Sequence, residues 1–106
     1  MLTVEVTVPI FTCGDAAMKD ALAATIERVC LAESLILTLR GTLASYRGCT
    51  HWHFKHGQAS GTLELTWWPA RKRLWFKVAS NRHATWIESK LPVLKTKLET
   101  ALSAGN

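Results

Sequence analysis

His51 and His53 form the pattern in this sequence that could most directly bind a metal ion. On a β-strand, residues two apart point the same way, with their Cα atoms about 6.5–7 Å apart. Two imidazoles at that spacing can reach one zinc ion, with bonds of about 2.0–2.1 Å. Glu64, which we expect to face His53 across a hairpin, could be a third ligand or could orient one. Three protein ligands and an open position would make a site of the hydrolytic type. Solvated surface histidines without a metal are the alternative.

The residues around this pair limit the chemistry. In the segment CTHWHFKH, residues 49–56, we expect Cys49 in a loop and His56 past the strand or on its inner face, while Lys55 brings positive charge beside a cation. His83 is expected as an early residue of the last helix. The sequence has no nucleophile elbow, phosphate-binding loop or pair of carboxylates, so an enzyme is not expected apart from the metal hypothesis.

A basic and aromatic stretch surrounds the histidines. Between Arg40 and Arg82 lie eight Lys/Arg residues, one acid, four of the five tryptophans and three of the four histidines. Residues 1–39 hold two basic and five acidic residues, a net charge of −3, whereas residues 40–106 hold eleven basic and three acidic, a net charge of +8. A positive balance of this kind favours polyanionic partners.

The leading hypothesis from this stretch is an exposed sheet face that binds nucleic acid or another polyanion. Trp68 and Trp75 would stack on bases, at about 1–3 kcal/mol per base. Basic side chains would contact phosphates and make the affinity fall with salt. They are Arg40, Lys55, Arg71, Lys72, Arg73, Lys77 and Arg82.

Two other hypotheses explain the same residues without nucleic acid. In one, Trp68 stacks on Arg73 as a cation–π pair while Glu64 neutralises Lys77 and His53. In the other, the Trp68/Trp75 face is buried against a second copy of the chain, which makes the protein a homo-oligomeric interaction or adaptor domain.

The elements that must position these residues follow from hydrophobic periodicity. Residues 2–10 alternate as a strand that closes at Pro9, and Gly14-Asp15 opens a helix that runs to about Cys30. The period returns to two from Ser34 to Leu43, and three further strands are predicted at Thr50–His56, Thr62–Trp68 and Arg73–Ala79.

A final helix is predicted after the last strand. Ser80-Asn81 would cap it, and Pro92 inside it predicts a kink or two abutting helices. Its apolar stripe is expected to pack on the sheet, with a partner helix as the alternative. The stripe consists of Leu91, Leu94, Leu98 and Leu102.

This order predicts one α+β domain over residues 1–106, β-α-β-β-β-β-α, with the last few residues frayed. Two helices would cover one face of a twisted antiparallel sheet and leave the other face polar and basic. The order resembles that of the TATA-binding-protein half-domain, and its core resembles the double-stranded-RNA-binding domain. The resemblance is architectural, and no motif of either family occurs, so no function is transferred.

Cross-strand pairing follows from the turns. A Pro69–Lys72 loop pairs Trp68 with Arg73, Thr66 with Trp75, and Glu64 with Lys77. A His56–Gly61 loop pairs His53 with Glu64, His51 with Thr66, and Lys55 with Thr62. A Tyr46–Cys49 loop pairs Thr42 with His53 and Arg40 with Lys55, which places Arg40 on the polar face.

The sequence also predicts where the protein resides. The start shows no signal-peptide pattern, and the longest apolar runs fall far short of the roughly 20 residues needed to span a bilayer. The three cysteines have no close pairing motif, which favours free thiols in a reducing compartment. We therefore expect a soluble cytoplasmic protein without a membrane partner.

Overall fold

The computed structural model describes residues 2–8 and 16–104. It confirms the predicted α+β class and element order. The elements are β1 (Leu2–Val6), α1 (Ala16–Ala32), β2 (Ile36–Gly41), β3 (Thr50–Lys55), β4 (Leu63–Trp68), β5 (Arg73–Val78) and α2 (Thr85–Ala104). The predicted strand end at Pro9 and the Gly14-Asp15 cap lie outside the described residues.

The five strands form one antiparallel sheet in the order β1-β5-β4-β3-β2. Strands β2 to β5 make a meander, and β1 lies at the edge beside β5. Alternate residues of the strands point to one face, where they pack against both helices and exclude water. The fully buried side chains of the strands on this inner face are Trp52, Phe54, Leu63, Leu65, Trp67, Leu74, Phe76 and Val78. The opposite face, which we call the outer face, carries His51 and His53.

The helices cover the inner face as predicted, but the predicted start of the second helix is wrong. The leucine stripe of α2 is buried in the core. Ser80–Arg82 form a short 3-10 turn instead of a cap, so α2 begins at Thr85 and His83 precedes it. The structure assigns one helix across Pro92 rather than two. Neither of the described helices combines the length and the apolar character that a bilayer crossing requires.

The predicted registers of the central strands are confirmed. Between β4 and β5, Glu64 pairs with Lys77, and the other predicted outer-face pairs also form. Between β3 and β4, His51 lies opposite Thr66, and His53 lies opposite Glu64. These pairings bring both histidines and the acid to neighbouring positions on the outer face.

The predicted register of β2 against β3 is wrong. The pairing shifts between Leu37 and Leu39, so Thr38 has no Cα partner and forms a bulge. An extra residue in one strand exchanges the faces of the side chains that follow it. Leu39 therefore pairs with His53 on the outer face, and Arg40 pairs with Trp52 rather than with Lys55.

The bulge removes Arg40 from the polar face. Its Nη1 donates to Oε2 of Glu27 on α1 at 3.2 Å, and Nε1–H of Trp52 donates to the same oxygen at 3.0 Å. Glu27 thus joins the helix to the β2 edge of the sheet through one carboxylate. The prediction that Arg40 lies on the outer face is wrong for this reason.

Candidate metal centre

His51, His53 and Glu64 place three possible ligand atoms together on the outer face. Nε2 of His51 lies 3.1 Å from Nε2 of His53 and 3.4 Å from Oε1 of Glu64. The third separation, from Nε2 of His53 to Oε1 of Glu64, is 3.7 Å. His51 is buried and the other two are half-buried. The three residues that the sequence suggested as ligands therefore do converge.

These separations match what one small ion would require. Ligand atoms bound to zinc at about 2.0–2.1 Å in a tetrahedral arrangement lie about 3.3 Å from each other. The observed distances of 3.1, 3.4 and 3.7 Å bracket that value. The three atoms can therefore serve as three corners of a tetrahedron without a change of strand register.

Thr66 contacts the most buried of the three possible ligands. Its Oγ1 lies 2.8 Å from Nδ1 of His51, directly across the β3–β4 pairing. With the proton on Nδ1, His51 donates to the hydroxyl and leaves the lone pair of Nε2 free toward His53 and Glu64. A histidine that binds a metal commonly has its second nitrogen held in this way. Sequence pairing placed Thr66 opposite His51, but it gave no sign of this role.

The surroundings of His51 favour its neutral form. Burial lowers the pKa of His51 because it removes water from the imidazolium, and the positive charges of His53 and Lys77 lower it further. The carboxylate of Glu64 opposes this shift. A neutral imidazole is the form that binds a metal.

The same distances also fit a hydrogen-bond network without a metal. The 3.1 Å contact between the two Nε2 atoms is a hydrogen bond when one of them carries a proton. A protonated His53 would then also be attracted to Glu64 at 3.7 Å. The two states differ in proton content and in metal binding, so measurement can separate them.

A cleft of about 560 Å³ opens over the cluster. One wall comes from β2 and the loop after it, and the other from the segment after β5. Arg82 lies on the second wall with its Nη1 3.9 Å from Oε2 of Glu64. The wall residues are Leu39, Thr42, Leu43, Ala79, Asn81 and Arg82. Of these, sequence reasoning named only Arg82 as a site residue.

The two tryptophans predicted as an open stacking platform are covered. Trp75 is only 4% exposed. Tyr46, in the β2–β3 loop, packs edge-on against both rings, with centroids 5.0 Å from Trp68 and 5.0 Å from Trp75. Nε1–H of Trp68 donates to the carbonyl of Arg47 at 3.1 Å. Trp68 stays half-buried, but Trp75 cannot stack on a base unless this loop moves.

Arginines also lie over the same two rings. The guanidinium of Arg73 lies 4.2 Å from the centre of the Trp75 ring, and that of Arg71 lies 5.8 Å from Trp68. Arg73 also donates twice to Glu5 of β1, at 3.0 and 2.6 Å, which raises its pKa. The predicted cation–π stacking thus exists with different partners, because Arg73 reaches Trp75 rather than Trp68.

The remaining predicted phosphate contacts differ in their surroundings. Lys55 donates to the carbonyl of Gly61 at 3.1 Å, and Lys77 lies opposite Glu64. Arg71 and Lys72 are exposed at the β4–β5 turn. Because Arg40 turns toward α1, the seven basic residues do not form one patch on the outer face.

The other candidate ligands lie elsewhere. His56 stacks on Trp86 with ring centroids 5.6 Å apart. Nε2 of His83 lies 3.3 Å from Oε1 of Glu88. Cys49 is buried and accepts a hydrogen bond from the backbone N–H of Leu43 at 3.3 Å. None of the three belongs to the cluster formed by His51, His53 and Glu64.

Comparisons with protein-family models, with curated proteins and with solved structures gave no match to this chain.

Proposed function

We propose that the protein binds a zinc-type divalent ion through Nε2 of His51, Nε2 of His53 and the carboxylate of Glu64. The observation that carries the proposal is the set of ligand-atom separations, 3.1, 3.4 and 3.7 Å. The buried Thr66 hydroxyl at Nδ1 of His51 also supports it, because a histidine that binds a metal commonly has its second nitrogen held by a hydrogen bond.

Three ligands leave a fourth position for a water molecule or a ligand. The cleft lies over the histidines and Glu64, so this position is open to solvent. Two histidines with one glutamate is a ligand set of catalytic zinc sites, whereas structural zinc sites are closed by four protein ligands. The proposed site is therefore suited to binding or activating a small ligand rather than to stabilising the fold.

Zinc titration of protein purified without chelators or a metal-affinity tag tests the proposal. We expect about one zinc per chain by elemental analysis, and an affinity at least about 100-fold weaker in His53→Gln, which removes a half-buried ligand. His56→Gln is the matched control, since it removes a neighbouring histidine that stacks on Trp86 instead. Circular dichroism confirms that each variant is folded.

A metal-free protein that does not bind zinc at micromolar concentrations would contradict the proposal. Equal zinc affinity in wild type and a folded His53→Gln variant would contradict it as well. Zinc affinity lost equally in His56→Gln would point to nonspecific histidine binding.

Polyanion binding at the β4–β5 turn is a second candidate function. Arg71 and Lys72 are exposed there, and no described acidic side chain lies within 4.0 Å of either one. Arg71 also lies over the half-buried Trp68. This observation supports a smaller phosphate-binding surface than the one predicted from sequence.

Oligonucleotide binding at several salt concentrations tests this second candidate. We expect Lys72→Gln to weaken binding and to reduce the slope of log affinity against log salt by about one. Arg40→Gln is the control, because Arg40 is paired with Glu27 toward the helix side. Absence of binding at low salt, or an equal effect of both substitutions, would rule this surface out.

A further inference from the structure

We infer that the open position of the proposed metal site takes a small organic anion, whose oxygen atoms bind the metal and the guanidinium of Arg82 together. This inference rests on the proposed metal binding and adds the class of ligand. Its basis is the charge, the fixed wall and the apolar lining of the cleft over His51, His53 and Glu64.

The charge of the occupied site would be strongly positive. Glu64 is the one acidic side chain among the described residues that line the cleft. A divalent ion would outweigh its single negative charge. Arg82 lies 3.9 Å from the same carboxylate, and Lys77 faces Glu64 from β5. A half-buried site with this excess of positive charge favours a negatively charged ligand at its open position.

The backbone fixes the wall that carries Arg82. The backbone N–H of Arg82 donates to the carbonyl of Ala79 at 2.9 Å, and the carbonyl of Arg82 accepts the N–H of Thr62 at 3.0 Å. A Cβ atom at Gly61 would lie 3.0 Å from the same carbonyl oxygen, so the β3–β4 loop packs closely against this segment. The Arg82 side chain is 44% exposed and has further N–H donors beyond the one that faces Glu64.

A guanidinium beside a metal suits an oxyanion. A carboxylate or phosphate can place one oxygen on the ion and another on the planar fork of Arg82. The Glu64 carboxylate already bridges the two groups in this way. Its Oε1 faces the histidines, and its Oε2 faces Arg82.

The opposite wall carries two leucines beside Thr42, and these leucines indicate the rest of the ligand. Leu39 is 46% exposed and lines the cleft together with Leu43. The bulge at Thr38 turns Leu39 to this face, opposite His53. An alkyl group on the anion would cover these leucines and gain about 25 cal/mol per Å² of apolar surface removed from water. The cleft volume of about 560 Å³ lies within the range of small-molecule sites.

Cobalt-loaded protein provides the test, because Co²⁺ accepts the same nitrogen and oxygen ligands and its visible spectrum reports a change at the open position. The probes are acetate and 4-methylpentanoate, which share the carboxylate and differ in the alkyl group. We expect both to change the spectrum, with 4-methylpentanoate binding more tightly. Arg82→Gln should weaken both by roughly 10- to 100-fold, the usual range for a lost charge-assisted hydrogen bond.

Two further variants separate the charge from the apolar wall. Leu39→Ala should weaken 4-methylpentanoate by several-fold and leave acetate unchanged. Arg28→Gln removes the same charge from α1, on the helix side of the sheet, and should change neither. The metal affinity of Arg82→Gln is measured first, so that an indirect effect through Glu64 is recognised.

The outcomes distinguish the two proposals. Cobalt binding without any anion effect, or equal anion affinity in wild type and Arg82→Gln, overturns the inference and leaves the metal site standing. Failure to bind cobalt or zinc overturns the metal site and the inference together.

Discussion

The Thr66 hydroxyl lies 2.8 Å from Nδ1 of His51 on the adjacent strand, and both side chains are buried. With Nδ1 at the hydroxyl, the imidazole turns its other nitrogen to the cluster. Nε2 then points to His53 and Glu64, at 3.1 and 3.4 Å. A hydroxyl on β4 thus contacts one nitrogen of a histidine on β3 whose other nitrogen faces the possible ligand atoms.

Removal of this hydroxyl should weaken metal binding without removal of any ligand. Thr66→Val keeps the shape of the side chain but leaves Nδ1 without its partner. We expect zinc affinity to fall by about 10- to 100-fold, the usual effect of losing a group that orients a metal ligand. Competition titration with a chelating dye measures it.

Thr66→Ser is the matched control, because it restores the hydroxyl and should recover most of the affinity. If Val and Ser variants bind zinc equally well, the hydroxyl has no part in orienting His51.

The titration of His51 is the second prediction. Its pKa should lie below the ordinary value near 6.5, chiefly because burial disfavours the charged ring. NMR titration of the chelator-treated protein measures it directly. A pKa at or above 6.5 would contradict the burial of this ring or the positive charge around it.

The lowered pKa has a consequence for stability. As the pH falls through about 6.5, His51 takes up a proton in the unfolded chain before it does so in the folded protein. The free energy of unfolding therefore falls with pH, by up to about 1.4 kcal/mol per pH unit, until the folded pKa is passed. Above about pH 6.5 the effect is absent. His51→Gln should show a flatter profile between pH 7 and pH 5 in urea denaturation.

The position of the cluster could be predicted from sequence because hairpin register follows from turn length and side-chain alternation. The pairs between β3, β4 and β5 match apolar with apolar residues, and a shift by one residue would exchange both faces. The convergence of His51, His53 and Glu64 follows directly from that register.

The walls of the cleft could not be predicted in the same way. The bulge at Thr38 leaves no signal in the alternation of β2, yet it turns Leu39 outward and Arg40 toward Glu27. Tyr46 covers Trp75 through a loop whose path depends on tertiary packing. Both features depend on contacts between elements, so the hydrophobic periodicity of a single element does not predict them.

The Tyr46 ring should stabilise the domain by shielding the two tryptophans. Tyr46→Ala removes both edge-on contacts and exposes Trp75, and we expect a loss of about 1–3 kcal/mol in the free energy of unfolding. Urea denaturation measures the loss. Tyr46→Phe keeps the ring and should remain close to wild type, whereas an equally stable Ala variant would show that the ring does not shield the face.

Among the glycines that the structure describes, Gly61 should be the one at which alanine is least tolerated, because two separate restrictions apply there. Its φ of +98° lies in the region that side chains avoid, and an added Cβ would be 2.6 Å from Cβ of Ala84. We expect Gly61→Ala to destabilise the fold by about 2–4 kcal/mol. Gly57→Ala, with φ of +57° and nothing within 4 Å, should lose only about 1 kcal/mol. Thermal unfolding compares the two, and equal losses would contradict the close packing of Gly61.

The same packing places Gly61 against the carbonyl of Arg82. Gly61→Ala should therefore also weaken carboxylate binding by the metal-loaded protein, while Gly57→Ala leaves it unchanged.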